Sequence, residues 1–351
     1  MVELLSLFPE EIQALLPGEP SYRAKQIFRW LHKGVRSFDE MSDLPRALRE
    51  KLSAAGTLTV PEAARTQTAR DGTVKVLWRF ADGQGVESVL MRHRHGRSLC
   101  LSTQAGCKRG CLFCASAIGG LARDLTAGEM LAQVIFTNAE CAETGNSQLS
   151  TLNSQFTIVL MGMGEPLDNF EQVVRFLQLL SHPDGLGLSL RHVSLSTCGV
   201  VEGIERLAAL RLPLTLSVSL HAPDDATRSR LMPVNRTAGV ERLLLACRNY
   251  FNRTGRRVSY EYTLFDGVND TPEQAHMLGR LLRGAPAHVN LIRYNHSGRD
   301  GSLRPSRPEN ARAFGEIVAS YRPAVTWRRG LGGEIDAACG QLRNRVLRSE
   351  S

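Results

Sequence analysis

The chain has 351 residues, 42% hydrophobic and 22% charged, which is enough apolar material for a large packed core and excludes wholesale disorder. No run of about 18 residues is both apolar and uncharged, and Met1 to Glu11 hold no basic leader before an apolar run, so neither a membrane span nor secretion is expected and the chain reads as cytoplasmic. The net charge is +8, with 43 Lys and Arg against 35 Asp and Glu; five of the cations are lysines and 38 are arginines, a balance that suits a polyanionic partner and equally an arginine-rich codon usage.

Residues 1–56 read as a small helical module. Phe8, Ile12, Leu15 and Leu16 recur at helical spacing before Pro17-Gly18. A second helix places Tyr22, Ile27, Phe28 and Leu31 on one side and ends at Gly34, and a third runs through Leu48 and Leu52. Arg23, Lys25, Arg29, Lys33 and Arg36 lie among them and make the module a candidate RNA contact, together with the arginine-rich tail at 343–348. Residues 57–92 change period: Val74 to Phe80, a turn at Asp82-Gly83, and Val86 to Met91 predict a β-hairpin.

From residue 93 onward short apolar strands alternate with helices. Strands are expected at 99–103, 156–161, 192–197, 214–220, 258–264, 288–294 and 324–328. Helices are expected at 127–141, 170–180, 201–210, 240–251, 272–282 and 307–321. Such alternation predicts a parallel α/β sheet or barrel, whose site is built from loops after the strands. Residues 146–155, rich in Ser, Asn and Gln, read as a surface insertion.

Eight cysteines fall at 100, 107, 111, 114, 141, 198, 247 and 339. Three stand together in Gly106-Cys107-Lys-Arg-Gly-Cys111-Leu-Phe-Cys114, just past an expected strand. Disulfides suit this loop poorly, because neighbouring cysteines on a short loop rarely pair and nothing points to an oxidising compartment. A structural zinc site wants four ligands, and no matching Cys or His pair stands out downstream. Three thiolates with one position open suit a four-iron cluster whose last iron takes an outside ligand.

The Cys-x3-Cys-x2-Cys spacing, with an aromatic residue before its last cysteine, resembles the radical S-adenosylmethionine (SAM) superfamily. Further segments narrow the resemblance: Met161-Gly-Met-Gly164-Glu165-Pro166, Ser196-Thr-Cys-Gly199, Ser219-Leu220-His221-Ala222, Asn290-Leu-Ile-Arg-Tyr-Asn295 and Glu334-Ile-Asp336-Ala-Ala-Cys339-Gly-Gln. Together they resemble the RlmN/Cfr family of radical SAM RNA (adenine) methyltransferases over nearly the whole chain.

The resemblance implies a partial (β/α)6 TIM-like barrel over 93–351 that carries a C-terminal catalytic-cysteine loop. It implies a [4Fe-4S] cluster on Cys107, Cys111 and Cys114, and SAM contacts from Gly164, Glu165, Ser196, Ser219, Leu220, His221 and Asn295. In that family the open iron chelates SAM, and reduction cleaves it to a radical. Two SAM are used per turnover. The first methylates the cysteine matching Cys339, and the radical from the second takes a hydrogen from that methyl group. The carbon radical then adds to the base; Cys100 matches the thiol that resolves the adduct through a disulfide, and Glu87 the proton acceptor. Such covalent steps are needed because C2 and C8 of adenine are not nucleophilic. Arg328 and Arg329 are candidates for lowering the thiol pKa.

The implied partners are 23S rRNA, tRNA in some members, and an electron donor such as a flavodoxin or ferredoxin; a monomer is expected. Ile292-Arg293-Tyr294-Asn295 resembles the Cfr type and Gly164-Glu165-Pro166 the RlmN type, while Glu334 stands where Asp is common. C2 methylation is the leading reading and C8 the alternative; a non-catalytic iron–sulfur RNA-binding or redox protein is the rival of another class. Without the resemblance, Cys100 reads as a small buried residue, Cys339 as helix packing and Glu87 as a solvated hairpin charge. Cys141, Cys198 and Cys247 read as structural.

Overall fold

Alternating apolar residues and turn glycines build one ten-stranded sheet, seen in a computed structural model that describes all residues except 94–95, 144–155, 296–298, 300, 329–334, 336–339 and 351, and only the backbone of 141–143 and 346–350. The expected insertion at 146–155, Arg329 and Cys339 therefore lie outside the described residues.

The N-terminal module comprises strand β1 (Val2–Glu3), helices α1 (Pro9–Leu15), α2 (Ser21–Lys33) and α3 (Arg46–Ala55), and β2 (Gly56–Thr57), which pairs in parallel with β1. Gly34 closes α2 in the left-handed region at φ 84°, a conformation that favours glycine. Ala24, Ile27, Phe28 and Leu31 of α2 are buried, but Tyr22, expected on the same side, is 55% exposed. The inward stripe is the expected one at Ile27, Phe28 and Leu31, with Ala24 in place of Tyr22.

Strands β3 (Glu62–Thr68), β4 (Val74–Arg79) and β5 (Gly85–His93) follow as an antiparallel meander, one strand longer than the expected hairpin. It is continuous with the core, because β5 pairs antiparallel with β6 (Gly96–Cys100). Between β7 (Gln104–Gly106) and β8 (Leu121–Asp124), a separate two-stranded ladder, lies the three-cysteine loop. The strand expected at 99–103 is thus β6 shifted toward the N-terminus, followed by a short extended link.

Six strand–helix units come next in the sheet: β6 with α4 (Ala127–Glu143), β9 (Phe156–Leu160) with α5 (Phe170–Ser181), β10 (Val193–Thr197) with α6 (Val201–Ala209), β11 (Thr215–Ser219) with α7 (Asp225–Leu231) and α8 (Val240–Thr254), β12 (Val258–Leu264) with α9 (Pro272–Leu282), and β13 (Ala287–Arg293) with α10 (Pro308–Ser320). A seventh parallel strand, β14 (Ala324–Trp327), and helix α11 (Gln341–Glu350) finish the chain. Sheet order is β14-β13-β12-β11-β10-β9-β6-β5-β4-β3. The sheet has two edges, β14 and β3, so the barrel is partial, as the resemblance implies.

One apolar core runs from Leu4, Ile12 and Phe28 through Met130 and Val134 of α4 to Leu216 and Val289 in the barrel. The N-terminal module is therefore packed onto the barrel through α4. Gly34 touches that helix so closely that a Cβ would stand 2.5 Å from Ile135 Cγ2. Many cations of the module are occupied within the molecule: Lys25 and Arg29 pair with Asp184, Lys51 with Glu19 and Arg49 with Asp39. Exposed pairs of this kind contribute about 0–1 kcal/mol each.

Candidate active site at the carboxyl ends of the parallel strands

Parallel strands present their carboxyl ends on one rim, and the motifs after β6, β9, β10, β11 and β13 lie there or just beyond. The cysteine loop starts from a tight approach of two backbones. Gly106 has φ +88°, and a Cβ on it would stand 2.1 Å from Gly120 O, so only glycine fits. The Cys107 N–H donates to that same oxygen at 3.0 Å, and the Cys114 N–H donates to Cys111 O at 3.2 Å, folding the loop back on itself.

Cys107 and Cys111 are buried and Cys114 is half-buried. Burial pushes the Cys107 thiol up to about 11 and raises Cys111 further. The loop by itself therefore keeps these thiols protonated, and a bound metal group is what would draw off their protons. Among the described residues no three His, Cys, Asp or Glu side chains meet around a single-ion position. A four-iron cluster takes one cysteine per iron, so its ligands need not share one point, and this donor set fits it.

A short apolar wall encloses Cys111, formed by Leu231, Met232, Val234, Phe265, Tyr294 and Leu303. Phe113, the aromatic residue before the last cysteine, packs edge-on against His221 with ring centroids 4.7 Å apart.

The Met161–Pro166 loop is held against the link that leads to the cysteines. A Cβ on Gly162 would stand 2.4 Å from Leu101 O, and one on Gly164, at φ +107°, would stand 2.7 Å from Gln104 Cβ. The Glu165 N–H donates to Gln104 Oε1 at 2.8 Å. Its buried carboxylate accepts from Leu167 N at 3.1 Å and Cys198 N at 2.7 Å. Burial raises the Glu165 pKa, and these backbone donors partly counter it. The resemblance makes Glu165 a SAM contact; its carboxylate holds the amides of Leu167 and Cys198 and so joins the β9 loop to the β10 loop.

Ser196 and Ser219 are half-buried near the ends of β10 and β11. Leu220 and His221 are buried, and His221 adopts φ +55°, a conformation rare for a side-chain-bearing residue. Asn269 Nδ2 pins the strained turn by donating to His221 O at 2.7 Å, and His221 Nδ1 accepts from Thr263 N–H at 2.9 Å. Burial, reinforced by the charge of Arg228, pushes His221 down to about 3, so it is a neutral imidazole. Asn295 is exposed just past β13.

Cys100 is buried at the end of β6, opposite Val89 of β5. Glu87, two residues from Val89, is not the solvated charge that a hairpin suggests: it is 3% exposed and ion-paired at 2.8 Å with Lys75, which is 0% exposed. Its two oxygens also accept from Gly340 N at 2.6 Å and Arg343 N at 2.7 Å, the first turn of α11. A carboxylate is well suited to that position, where amides lack intrahelical partners. Gly340, at φ +82°, is pressed so closely against the turn after Cys114 that a Cβ would stand 2.7 Å from Ser116 N. Asn344 Nδ2 donates to Ala115 O at 2.8 Å. The segment that follows Cys339 is thus anchored both to Glu87 and to the cysteine loop.

The sequence reading missed two features. Lys75 was passed over, although an unaccompanied lysine among Val74, Val76 and Leu77 is a visible signal of a buried cation seeking a partner. The barrel interior is polar, and its period-two pattern was legible: Ser194, Ser217, Ser259, Glu261, His288 and Asn290 line a cavity of about 310 Å³ bordered by Arg257 and Arg328. Arg328, a candidate thiol activator, contacts Met161 Sδ at 3.5 Å.

Residues 101–278 match the radical SAM superfamily, and residues 2–57 match the ribosomal RNA large subunit methyltransferase N-terminal domain. A probable dual-specificity RNA methyltransferase RlmN of Symbiobacterium thermophilum is 49% identical over 333 residues, covering 94% of this chain and 88% of that protein. The protein of the same name from Bacillus subtilis is 44% identical over 335 residues, covering 95% and 90%. The crystal structure of a radical SAM methyltransferase from Sphaerobacter thermophilus superposes with a TM-score of 0.90 at 40% identity, covering 97% of this chain and 99% of that one. The chain belongs to the radical SAM superfamily and, within it, to the RlmN family.

Proposed function

We propose that this chain is an RNA methyltransferase of the RlmN type that places a methyl group on C2 of adenosine in 23S rRNA and in tRNA. The observation that carries the proposal is the anchoring of the segment after Cys339 onto the turn that follows Cys114. The relatives' shared name, dual-specificity RNA methyltransferase, supports RNA as the substrate.

In this proposal Cys107, Cys111 and Cys114 hold the cluster. When bound and reduced, the cluster supplies the electron that cleaves SAM. The Gly164-Glu165 backbone, Ser196, the Ser219–His221 turn and Asn295 form the SAM rim. Glu165 fixes the spacing of two of these loops, and neutral His221 adds no charge beside the cation of SAM. Cys339 carries the methyl group, two SAM are used per turnover, and Cys100 resolves the protein–RNA link.

Glu87 takes the ring proton. Both of its oxygens hold backbone amides at the start of α11, which fixes the carboxylate relative to the segment after Cys339. A soluble one-electron donor of the flavodoxin or ferredoxin class reduces the cluster, and the chain works as a monomer.

The test is mass spectrometry of nucleosides from RNA treated with iron-loaded protein, SAM and a reductant. 2-Methyladenosine is expected, and it should disappear with Cys339→Ala while RNA affinity persists. 8-Methyladenosine would move the chain to the Cfr type. Unchanged adenosine with a full iron complement would leave the non-catalytic iron–sulfur reading.

A further inference from the structure

Arg228, on α7, is 0% exposed. Four of the five N–H donors of its guanidinium are engaged, all by neutral acceptors: Nε donates to Leu220 O at 3.0 Å, Nη1 to Asn235 Oδ1 at 2.8 Å, and Nη2 to Cys198 O at 2.7 Å and Ser219 O at 3.0 Å. Among the described residues no carboxylate lies within ion-pair distance of it. Asp225, on the same helix, directs one oxygen to Val240 N at 2.8 Å and Asn235 Nδ2 at 2.9 Å. Hydrogen bonds satisfy the donors of a guanidinium without cancelling its charge, and an uncancelled charge in an apolar interior is costly. Burial accordingly lowers the Arg228 pKa, which the charge of Asp225, outside ion-pair distance, counters only in part.

The surroundings say which anion is missing. The last residue of α7, Leu231, accepts the Leu112 N–H through its carbonyl at 3.0 Å, joining the helix to the cysteine loop one residue past Cys111. Cys111 packs with Leu231, Met232 and Val234 in one apolar cluster. Three thiolates outweigh the positive charge of an oxidised four-iron cluster, and the electron that reduces it adds one more negative charge.

We propose that Arg228 is the buried counter-charge of the cluster, favouring both its insertion and its one-electron reduction. The proposal rests on reading Cys107, Cys111 and Cys114 as cluster ligands. Because Arg228 also ties the ends of β10 and β11 together, its structural and electrostatic parts must be separated.

The experiment compares wild type, Arg228→Lys and Arg228→Gln after anaerobic reconstitution with iron and sulfide. Iron content, the midpoint potential from an EPR-monitored redox titration, and melting of the metal-free and loaded forms are measured. Arg228→Gln is expected to shift the midpoint to more negative potential and to gain less thermal stability on loading than wild type does. Arg228→Lys, which keeps the charge and loses the fork, is expected to melt lower but to hold the wild-type midpoint. An unchanged midpoint in loaded Arg228→Gln, with equal gains in melting on loading, would overturn the proposal and leave Arg228 a structural staple. Should Arg228→Gln fail to fold, a midpoint in Arg228→Lys that falls with its stability would overturn it equally. A wild-type protein that takes up no iron would sink the ligand reading itself, an outcome distinct from the others.

Discussion

Among the described residues two cations are completely buried, and they are solved differently. Lys75, in the antiparallel part of the sheet, faces the carboxylate of Glu87 at 2.8 Å, and that carboxylate also holds the first turn of α11. Arg228, at the rim of the parallel part, has four neutral acceptors and no carboxylate. The first charge is balanced inside the chain and serves architecture. The second is held mainly by dipoles, with Asp225 near but outside ion-pair distance, and on our proposal its counter-charge is an anion brought from outside. Register explains the contrast: Leu77 stands directly opposite Glu87, which puts Lys75 diagonally across on the same face, whereas the strands flanking Arg228 offer only their terminal carbonyls.

The largest effect expected concerns the loop that Arg228 faces. Replacing any one of Cys107, Cys111 or Cys114 by Ala should abolish both iron uptake and methyl transfer, measured by iron analysis and nucleoside mass spectrometry. Retained methylation in any of them would remove that cysteine from the ligand set.

Next is the balanced charge. Lys75→Met leaves Glu87 buried and unpaired, at an expected cost of about 3–5 kcal/mol in denaturant unfolding. The double variant Lys75→Met with Glu87→Leu should recover part of that loss while still lacking the α11 cap. A loss under about 1 kcal/mol for the single change would erase the distinction between the two cations.

A third test uses a buried titratable group outside both regions. His32 is 6% exposed, neither ring nitrogen has a hydrogen-bond partner, and burial, with nearby His182, pushes it down to about 3 from an ordinary 6.5. The unfolded chain therefore binds a proton that the fold refuses. Stability is unaffected above about pH 6.5 and falls below it by about 1.4 kcal/mol per pH unit toward pH 3. His32→Leu should flatten that slope, leaving it about 2 kcal/mol better than wild type at pH 5 relative to their difference at pH 8. Parallel pH profiles for the two proteins would contradict the burial argument.

The smallest effect is at the surface. Arg29→Ala breaks an exposed pair with Asp184 and should cost under about 1 kcal/mol. It should also leave the salt dependence of RNA binding unchanged; a slope smaller by about one would put Arg29 on a phosphate after all.

Much of the site was legible because its chemistry is local. Three cysteines and their glycines sit within one loop, and each of the other rim motifs follows a recognisable apolar strand, so spacing and alternation carry them. Glu165 and Glu87 show where local reading stops. Both are carboxylates beside glycine-containing segments, yet one clasps the amide of Cys198 and the other amides of Gly340 and Arg343, partners that no neighbouring residue announces.

By itself the sequence determined the order of strands and helices, the cysteine loop, and the glycines at Gly106 and Gly164 that permit close backbone approach, because periodicity and short-range sterics act within a few residues. Only the tertiary structure decided that the hairpin joins the main sheet, that cations of the first module are occupied by acidic partners, that Glu87 reaches the chain 253 residues later, and that Arg228 is left without a carboxylate. These outcomes depend on which distant backbone ends meet and on whether a buried charge finds its opposite there, and neither leaves a local trace in the sequence.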